Sequence, residues 1–186
     1  VRLVVEVPRV ELPHPVFQRT GAAGHSNYLW GGVAVIADST WAAMRGLKEL
    51  SVKCDDGAAA TASTPEMSRQ LRALAAAPGS TTTLVHDVGD VEKSFAAAAK
   101  VVEGEYEVPF LAHAVMEPLN AIADVRADRC EIWAPTQVPE AAAMTAALAL
   151  KVPVESVTVH VTFLGGGFGR RVNQDYVAEA ALLSKA

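Results

Sequence analysis

The chain has 186 residues, a formal net charge of −5 and 51% apolar residues. That is enough for one packed domain or two small ones, and the acidic balance without a dense basic patch argues against a nucleic-acid partner. No stretch approaches the ~18 uninterrupted apolar residues of a membrane helix.

In chain order, residues 2–7 read as a strand and residues 8–29 as an irregular excursion, marked as loop by Pro13, Pro15, Gly21 and Gly24. A strand at 33–37 follows. Next is a helix at 41–50, with Trp41, Met44 and Leu47 on one face and Ser39 or Thr40 as cap. A short strand is expected at 51–53, and Asp55-Asp56-Gly57 reads as the start of a linker. Thr64 then caps a helix with Pro65 at its first position and Met67, Leu71 and Leu74 on one face, ended by Pro78-Gly79. A helix at 91–100 leads into 101–108, where Val102, Tyr106 and Val108 alternate with Glu103, Glu105 and Glu107 as in a half-buried strand. Residues 121–126 and 130–134 read as a hairpin, 139–150 as a helix, 157–163 as an alternating strand and 175–186 as a helix.

The opening Val1-Arg2-Leu3-Val4-Val5 is already strand-like rather than a signal peptide, and Leu182-Leu183-Ser184-Lys185-Ala186 carries no helix stop. Both ends are therefore read as cut from a longer polypeptide, which leaves the compartment open.

Between the last strand and the last helix lies Gly165-Gly166-Gly167-Phe168-Gly169-Arg170-Arg171. A strand, a glycine-dense turn and a helix start expose backbone N–H groups with no Cβ in the way, the usual construction of an oxyanion site. A P-loop reading fails because Gly169 is followed by arginines rather than Lys-Ser/Thr. A dinucleotide fingerprint starting at Gly165 fails at Arg170, where its third glycine belongs. The plain alternative is a glycine turn without a ligand, with Phe168 as its core anchor.

Other chemistries have little support. Cys54 and Cys130 are far apart and outside any C-x-x-C pattern, so ordinary packing is expected of both. His14, His25, His86, His113 and His160 show no metal-ligand spacing. His160 stands on the alternating strand opposite to Val159 and Val161, as a solvent-facing or hydrogen-bonded histidine.

The glycine run followed by Asp175-Tyr176 resembles the large, molybdenum-binding subunits of the xanthine oxidase family, and within it the isoquinoline 1-oxidoreductase beta-subunit type. The stretches from Ala112 to Asn120, from Cys130 to Gln137 and from Gly32 to Met44 are similar to the same branch. Gln137 lies 31 positions before Phe168, the separation at which the family places a glutamine beside its molybdenum centre.

The resemblance implies an α+β chain. Residues 1–57 would be an α/β-hammerhead-like domain, 58–90 a linker with one helix, and 91–186 the opening part of a molybdenum-cofactor-binding domain. It implies a fragment of a subunit that hydroxylates an N-heterocycle or oxidises an aldehyde, with oxygen from water. The fragment is expected to be inactive alone, because the family's catalytic glutamate lies beyond it. The cofactor would be molybdenum–molybdopterin cytosine dinucleotide. Electrons would leave through iron–sulfur clusters on a small 2Fe–2S partner subunit, with a cytochrome c as a further acceptor. Relatives of this branch suggest a bacterial periplasmic or membrane-associated setting.

The cofactor-binding residues implied are Gln137, Gly165, Gly166, Gly167, Phe168, Gly169 and Arg170. Gln137 would donate its amide N–H to a metal-bound oxo group, although on its own sequence position it reads as a cap for the helix at 139–150. Arg170 and Arg171 suit cofactor phosphates, with surface salt bridges to Asp175 or Glu179 as the plainer role, favoured for Arg171. Many relatives have glycine, lysine and glutamate where this chain has Arg170, Arg171 and Val172, so a carboxylate used by purine-oxidising relatives is absent. His113, Glu117 and Asn120 are expected to be structural. Two other classes remain open at this point: a nucleotide-binding module built on the Gly165 loop, and a non-catalytic interaction domain of the same fold.

Overall fold

The computed structural model describes residues 1–13, 26–29, 31–77 and 86–186, which form a mixed α+β structure. The expected breakers Pro15, Gly21, Gly24, Pro78 and Gly79, and the histidines His14 and His25, lie outside the described residues. The described residues divide into two units, Val1–Val52 with His113–Ala186, and Lys53–Ala112. In the larger unit the first strands pair with one another and also pack against the carboxy-terminal helices.

In the larger unit, strands β1 (Leu3–Val7) and β4 (Gly32–Ile36) pair antiparallel, from Leu3↔Ile36 to Val7↔Gly32. Strands β2 (Val10–Pro13) and β3 (Ser26–Leu29) pair inside the excursion expected to be irregular. The first of these strands carries only the short alternation Val10-Glu11-Leu12, and the second, Ser26-Asn27-Tyr28-Leu29, carries none. Helix α1 (Thr40–Lys48) starts where Ser39 Oγ accepts from Ala42 N at 3.2 Å. Its Trp41, Met44 and Leu47 are exposed, while Gly46 faces Val35: a Cβ there would lie 2.9 Å from Val35 Cγ1.

The principal core is built on β5 (Ile122–Val125), β6 (Cys130–Ala134) and β7 (Val157–Val161). β5 and β6 form the expected antiparallel hairpin, and β7 runs parallel to β6 with Cys130↔Val157 through Ala134↔Val161 in register. A parallel neighbour requires a crossover, and helix α4 (Pro139–Leu150) supplies it. Cys130, Ile132 and Ala134 alternate onto the buried face, against Ala142 and Ala146 of α4 and Val177 of α5 (Asp175–Lys185). Alanine at these helix positions lets the helices approach closely, and the fully buried Ile132 fills what remains. Truncating Ile132 to alanine would cost about 2–5 kcal/mol. On the opposite sheet face, the registered pair Trp133 and His160 stack with ring centroids 4.9 Å apart.

In the smaller unit, α2 (Thr64–Ala76) is capped by Ser63, whose Oγ accepts from Glu66 N, and Pro65 occupies its first turn. Helix α3 (Val91–Ala97) is capped by Asp90 and ends three residues short of the expected limit. Residues 101–108 form no strand, and Val102, Tyr106 and Val108 are exposed. Their alternation prepares one face of a strand, but a strand exists only with a partner, and none pairs with it among the described residues. Arg72 instead ties Glu105 and Glu107 of this segment to α2. Residues 51–53 likewise form no strand.

Candidate functional site

Because β6 and β7 are parallel and in register, their carboxy-terminal exits lie side by side. β6 exits into Pro135-Thr136-Gln137 and β7 into the glycine run, so the crossover returns two segments about 30 residues apart in sequence to one edge. Gln137 consequently packs on the loop. A Cβ built on Gly167 would fall 2.6 Å from Gln137 Oε1 and 2.8 Å from its Cδ, so only glycine fits beside the amide as it stands. Gln137 does not cap α4. Val138 is the cap residue, and its N–H donates to Thr136 Oγ1 at 3.1 Å.

The loop alternates in hand: Gly166, Phe168 and Gly169 have φ of 98°, 50° and 89°. Phe168 thus takes a left-handed conformation that L-residues disfavour, and the residue is 74% exposed, which is not the arrangement of a core anchor. Arg170 N donates to Gly167 O at 2.9 Å and Val172 N to Gly169 O at 3.1 Å, closing a tight turn at the foot of α5. The N–H groups of Gly166, Gly167, Phe168 and Gly169 meet no acceptor among the described residues, nor does the Gln137 side chain meet any hydrogen-bond partner there. Four backbone donors and one amide, set around an exposed aromatic ring, form a donor set suited to a large oxyanionic group.

The surface salt bridge expected of Arg171 is made by Arg170 instead. Arg170 makes the salt bridge to Asp175, bidentate at 2.9 and 2.7 Å, and the pairing holds its guanidinium more firmly charged. Arg171 is not a surface residue at all. It is fully buried, with Nε donating to Gly166 O at 2.8 Å, Nη1 to Pro135 O at 3.3 Å, and Nη2 to Glu117 O at 2.7 Å and Glu117 Oε2 at 2.9 Å. A buried guanidinium is tolerated only when its donors are met and its charge is paired.

Glu117 completes the arrangement. Its Oε2 also accepts from Gly165 N at 2.8 Å, and Asn120 Nδ2 donates to its Oε1 at 3.1 Å. The Gly165 N–H, then the Asn120 amide and the Arg171 charge, hold the Glu117 carboxyl below the usual glutamate range. Behind it, Gln174 is buried and donates to Arg171 O at 2.9 Å and Val172 O at 3.0 Å, sharing a further hydrogen bond with Thr136. Tyr176 donates its hydroxyl to Pro135 O at 3.2 Å. Gln174 escaped the sequence reading, and Thr136 and Tyr176 entered it only within stretches carrying the resemblance, since nothing local marks partners some 40 positions apart. Glu117 was expected to pair or cap, without a partner in view.

Among the described residues no group of histidine, cysteine and carboxylates could hold a metal ion directly, and no helix is long and apolar enough to cross a membrane.

Residues 75–186 match the family model of the molybdopterin cofactor-binding domain. The chain is 35% identical over 161 residues to a membrane-bound aldehyde dehydrogenase (pyrroloquinoline-quinone) of Gluconacetobacter polyoxogenes, covering 87% of this chain and 21% of that protein. It is 33% identical over 86 residues to the aldehyde oxidoreductase molybdenum-binding subunit PaoC of Escherichia coli K12, covering 46% and 12%. It is 30% identical over 156 residues to one of the subunits of the nicotinate dehydrogenase of Pseudomonas putida, covering 83% and 13%. The chain thus spans about a fifth or less of the length of these relatives.

Proposed function

Since the chain belongs to the molybdopterin cofactor-binding domain family of the molybdenum hydroxylases, we propose that it is the part of an oxidoreductase subunit that presents one wall of the cofactor site. The observation that carries this reading is the packing of the Gln137 amide on Gly167 at the shared exit of β6 and β7, beside four backbone N–H groups with no acceptor among the described residues.

The residues assigned to the cofactor are Gln137, Gly165, Gly166, Gly167, Phe168, Gly169 and Arg170. When bound, the cofactor supplies the two-electron oxidation of the substrate carbon, with water as the oxygen source. The chain's own part is to bind and orient. The N–H groups of Gly166 to Gly169 offer a fixed donor surface. Gln137 adds a side-chain donor at its edge. Phe168, held outward, supplies an apolar face. Gly165 contributes by shape, its N–H being engaged by Glu117. Arg170 keeps three N–H groups beyond the two it gives to Asp175, and these would meet phosphate oxygens of the cofactor's dinucleotide part.

The substrate class assigned is an aldehyde or an N-heterocycle, supported by relatives named for aldehydes and for nicotinate. The cytosine dinucleotide form of the cofactor, a small 2Fe–2S subunit as electron partner and a cytochrome c beyond it complete the proposal, together with a periplasmic or membrane-associated setting. We further assign residues 1–57 to a hammerhead-like domain, 58–90 to a linker with one helix and 91–186 to the opening of the cofactor-binding domain. The nucleotide-binding alternative is not favoured, because Arg170 stands where a dinucleotide loop needs glycine.

The test is metal and nucleotide analysis of the complete parent polypeptide, co-expressed with its iron–sulfur partner in a host that makes the cofactor. Stoichiometric molybdenum with cytidine monophosphate released by acid is expected. Folded protein without molybdenum, or with pyrroloquinoline quinone in its place, overturns the proposal.

A further inference from the structure

Resting on that cofactor reading, we propose that Arg171 and Glu117 are positioning residues: they select the orientation of the loop's peptide groups and thereby which way its donors face. The peptide joining Gly166 to Gly167 is flanked by glycine on both sides, so neither ψ of the first nor φ of the second is restrained by a Cβ. Left to itself, such a peptide can turn over, exchanging the directions of its carbonyl and its N–H. Arg171 Nε removes that freedom by donating to Gly166 O at 2.8 Å from the buried side.

No described peptide bond is cis, and in a trans peptide the carbonyl and the following N–H point opposite ways. Drawing Gly166 O onto the guanidinium therefore turns Gly167 N–H away from it, to the side where it has no acceptor among the described residues. Glu117 fixes the two preceding peptides in the same manner: its own N–H donates to Gly165 O of the Gly165–Gly166 peptide at 3.2 Å, and its Oε2 accepts from Gly165 N of the Leu164–Gly165 peptide. It also neutralises the guanidinium that would otherwise be buried uncompensated. Pro135 O, at 3.3 Å from Nη1, ties the segment leading to Gln137 into the same cluster. One charge pair, its arginine buried and its glutamate partly exposed, thus sets the loop donors and the base of the Gln137 segment together, which is preorganisation by a supporting shell.

The experiment uses the complete parent enzyme with its partner subunit, comparing Arg171→Lys, Arg171→Met and Glu117→Gln with the wild type. Lysine keeps the charge but lacks the fork that reaches three carbonyls, and glutamine keeps an acceptor for Gly165 N. Amide hydrogen exchange is followed at Glu117, Gly165 and Arg170, the hydrogen-bonded amides of the loop, with β6 and α4 as reference. The expected result is a local rise in exchange at those amides, molybdenum content maintained in Arg171→Lys and Glu117→Gln, and kcat lowered about tenfold or more with KM changed less than about twofold. Arg171→Met should show the largest loss, and Arg171→Lys should recover part of it.

Wild-type kcat in molybdenum-loaded Arg171→Lys and Glu117→Gln overturns the inference, whatever the exchange shows. So does an exchange increase spread evenly over β6 and α4, which makes the pair a general stability element. Absence of molybdenum from the wild-type enzyme sinks the cofactor reading instead, a result visible before any variant is made.

Discussion

Arg171 Nη2 lies 2.9 Å from Glu117 Oε2 across 54 positions of sequence, with the arginine fully buried and the glutamate partly open to solvent. The pair joins the segment before β5 to the turn before α5, and the glycine run is held between them. Its consequences, and those of the neighbouring close contacts, can be measured in the parent enzyme.

Gly167→Ala should separate function from stability. The new Cβ meets the far end of an exposed side chain, Gln137 Oε1 at 2.6 Å, which can swing away. Stability should change by less than about 1 kcal/mol, while turnover falls because the amide is displaced. Gln137→Ala should reproduce the loss, and the double variant should be no worse than either single one. Additive losses in kcat would show that the two positions act independently.

Gly165→Ala should instead damage the fold. Here the added Cβ would sit 2.4 Å from Glu117 Cβ and 3.4 Å from its Cα, atoms with no free rotation to escape by. A cost of about 1–3 kcal/mol is expected from such overpacking, read as a lowered denaturant midpoint at unchanged slope. An unaltered midpoint would mean that the Glu117 backbone yields easily.

Phe168 should tolerate what core aromatics do not. Its ring is exposed and its φ of 50° is left-handed, a state that costs an L-residue about 1–2 kcal/mol. Phe168→Gly is therefore expected to be at least as stable as the wild type, with reduced turnover if the ring faces the cofactor. Thermal melts paired with initial rates decide this, and a markedly lower melting temperature would place the ring in a core.

Acid should release the loop through Glu117. Its folded pKa is depressed, chiefly by the Gly165 N–H, so its contribution to stability is full above the unfolded value of about 4.3 and is lost as pH falls through the folded value. Glu117→Gln, which cannot titrate, should lose less stability than the wild type between neutral pH and pH values below about 4. Parallel acid-unfolding curves for the two proteins would count against the anchor.

Thr145 offers a contrast without functional stakes. Its hydroxyl is buried in α4 with no hydrogen-bond partner among the described residues. Thr145→Val keeps the shape and removes an unmet polar group, so a gain of up to about 1–3 kcal/mol is expected. Chemical denaturation measures it, and a loss of stability would reveal a partner for the hydroxyl.

The sequence by itself determined the local elements of the carboxy-terminal half. The alternation of Cys130, Ile132 and Ala134, the helix at 139–150 and the strand entering the glycines form as read, because periodicity and proline placement act over a few residues. Composition also marked the glycine run, and Gln137 was singled out only by the family resemblance, through its separation of 31 positions from Phe168. What it left open was set by partners distant in sequence. The segment 101–108 has a strand's pattern but no neighbour among the described residues to complete the ladder, while β3 has a ladder without the pattern. Which of two adjacent arginines is buried could not be read from an Arg-Arg pair. Only the tertiary structure decided it, by bringing Glu117, Pro135 and Gly166 around one guanidinium and leaving Asp175 for the other. A buried charge is placed where each of its nitrogens finds an acceptor, and those acceptors come from three separate segments of the chain.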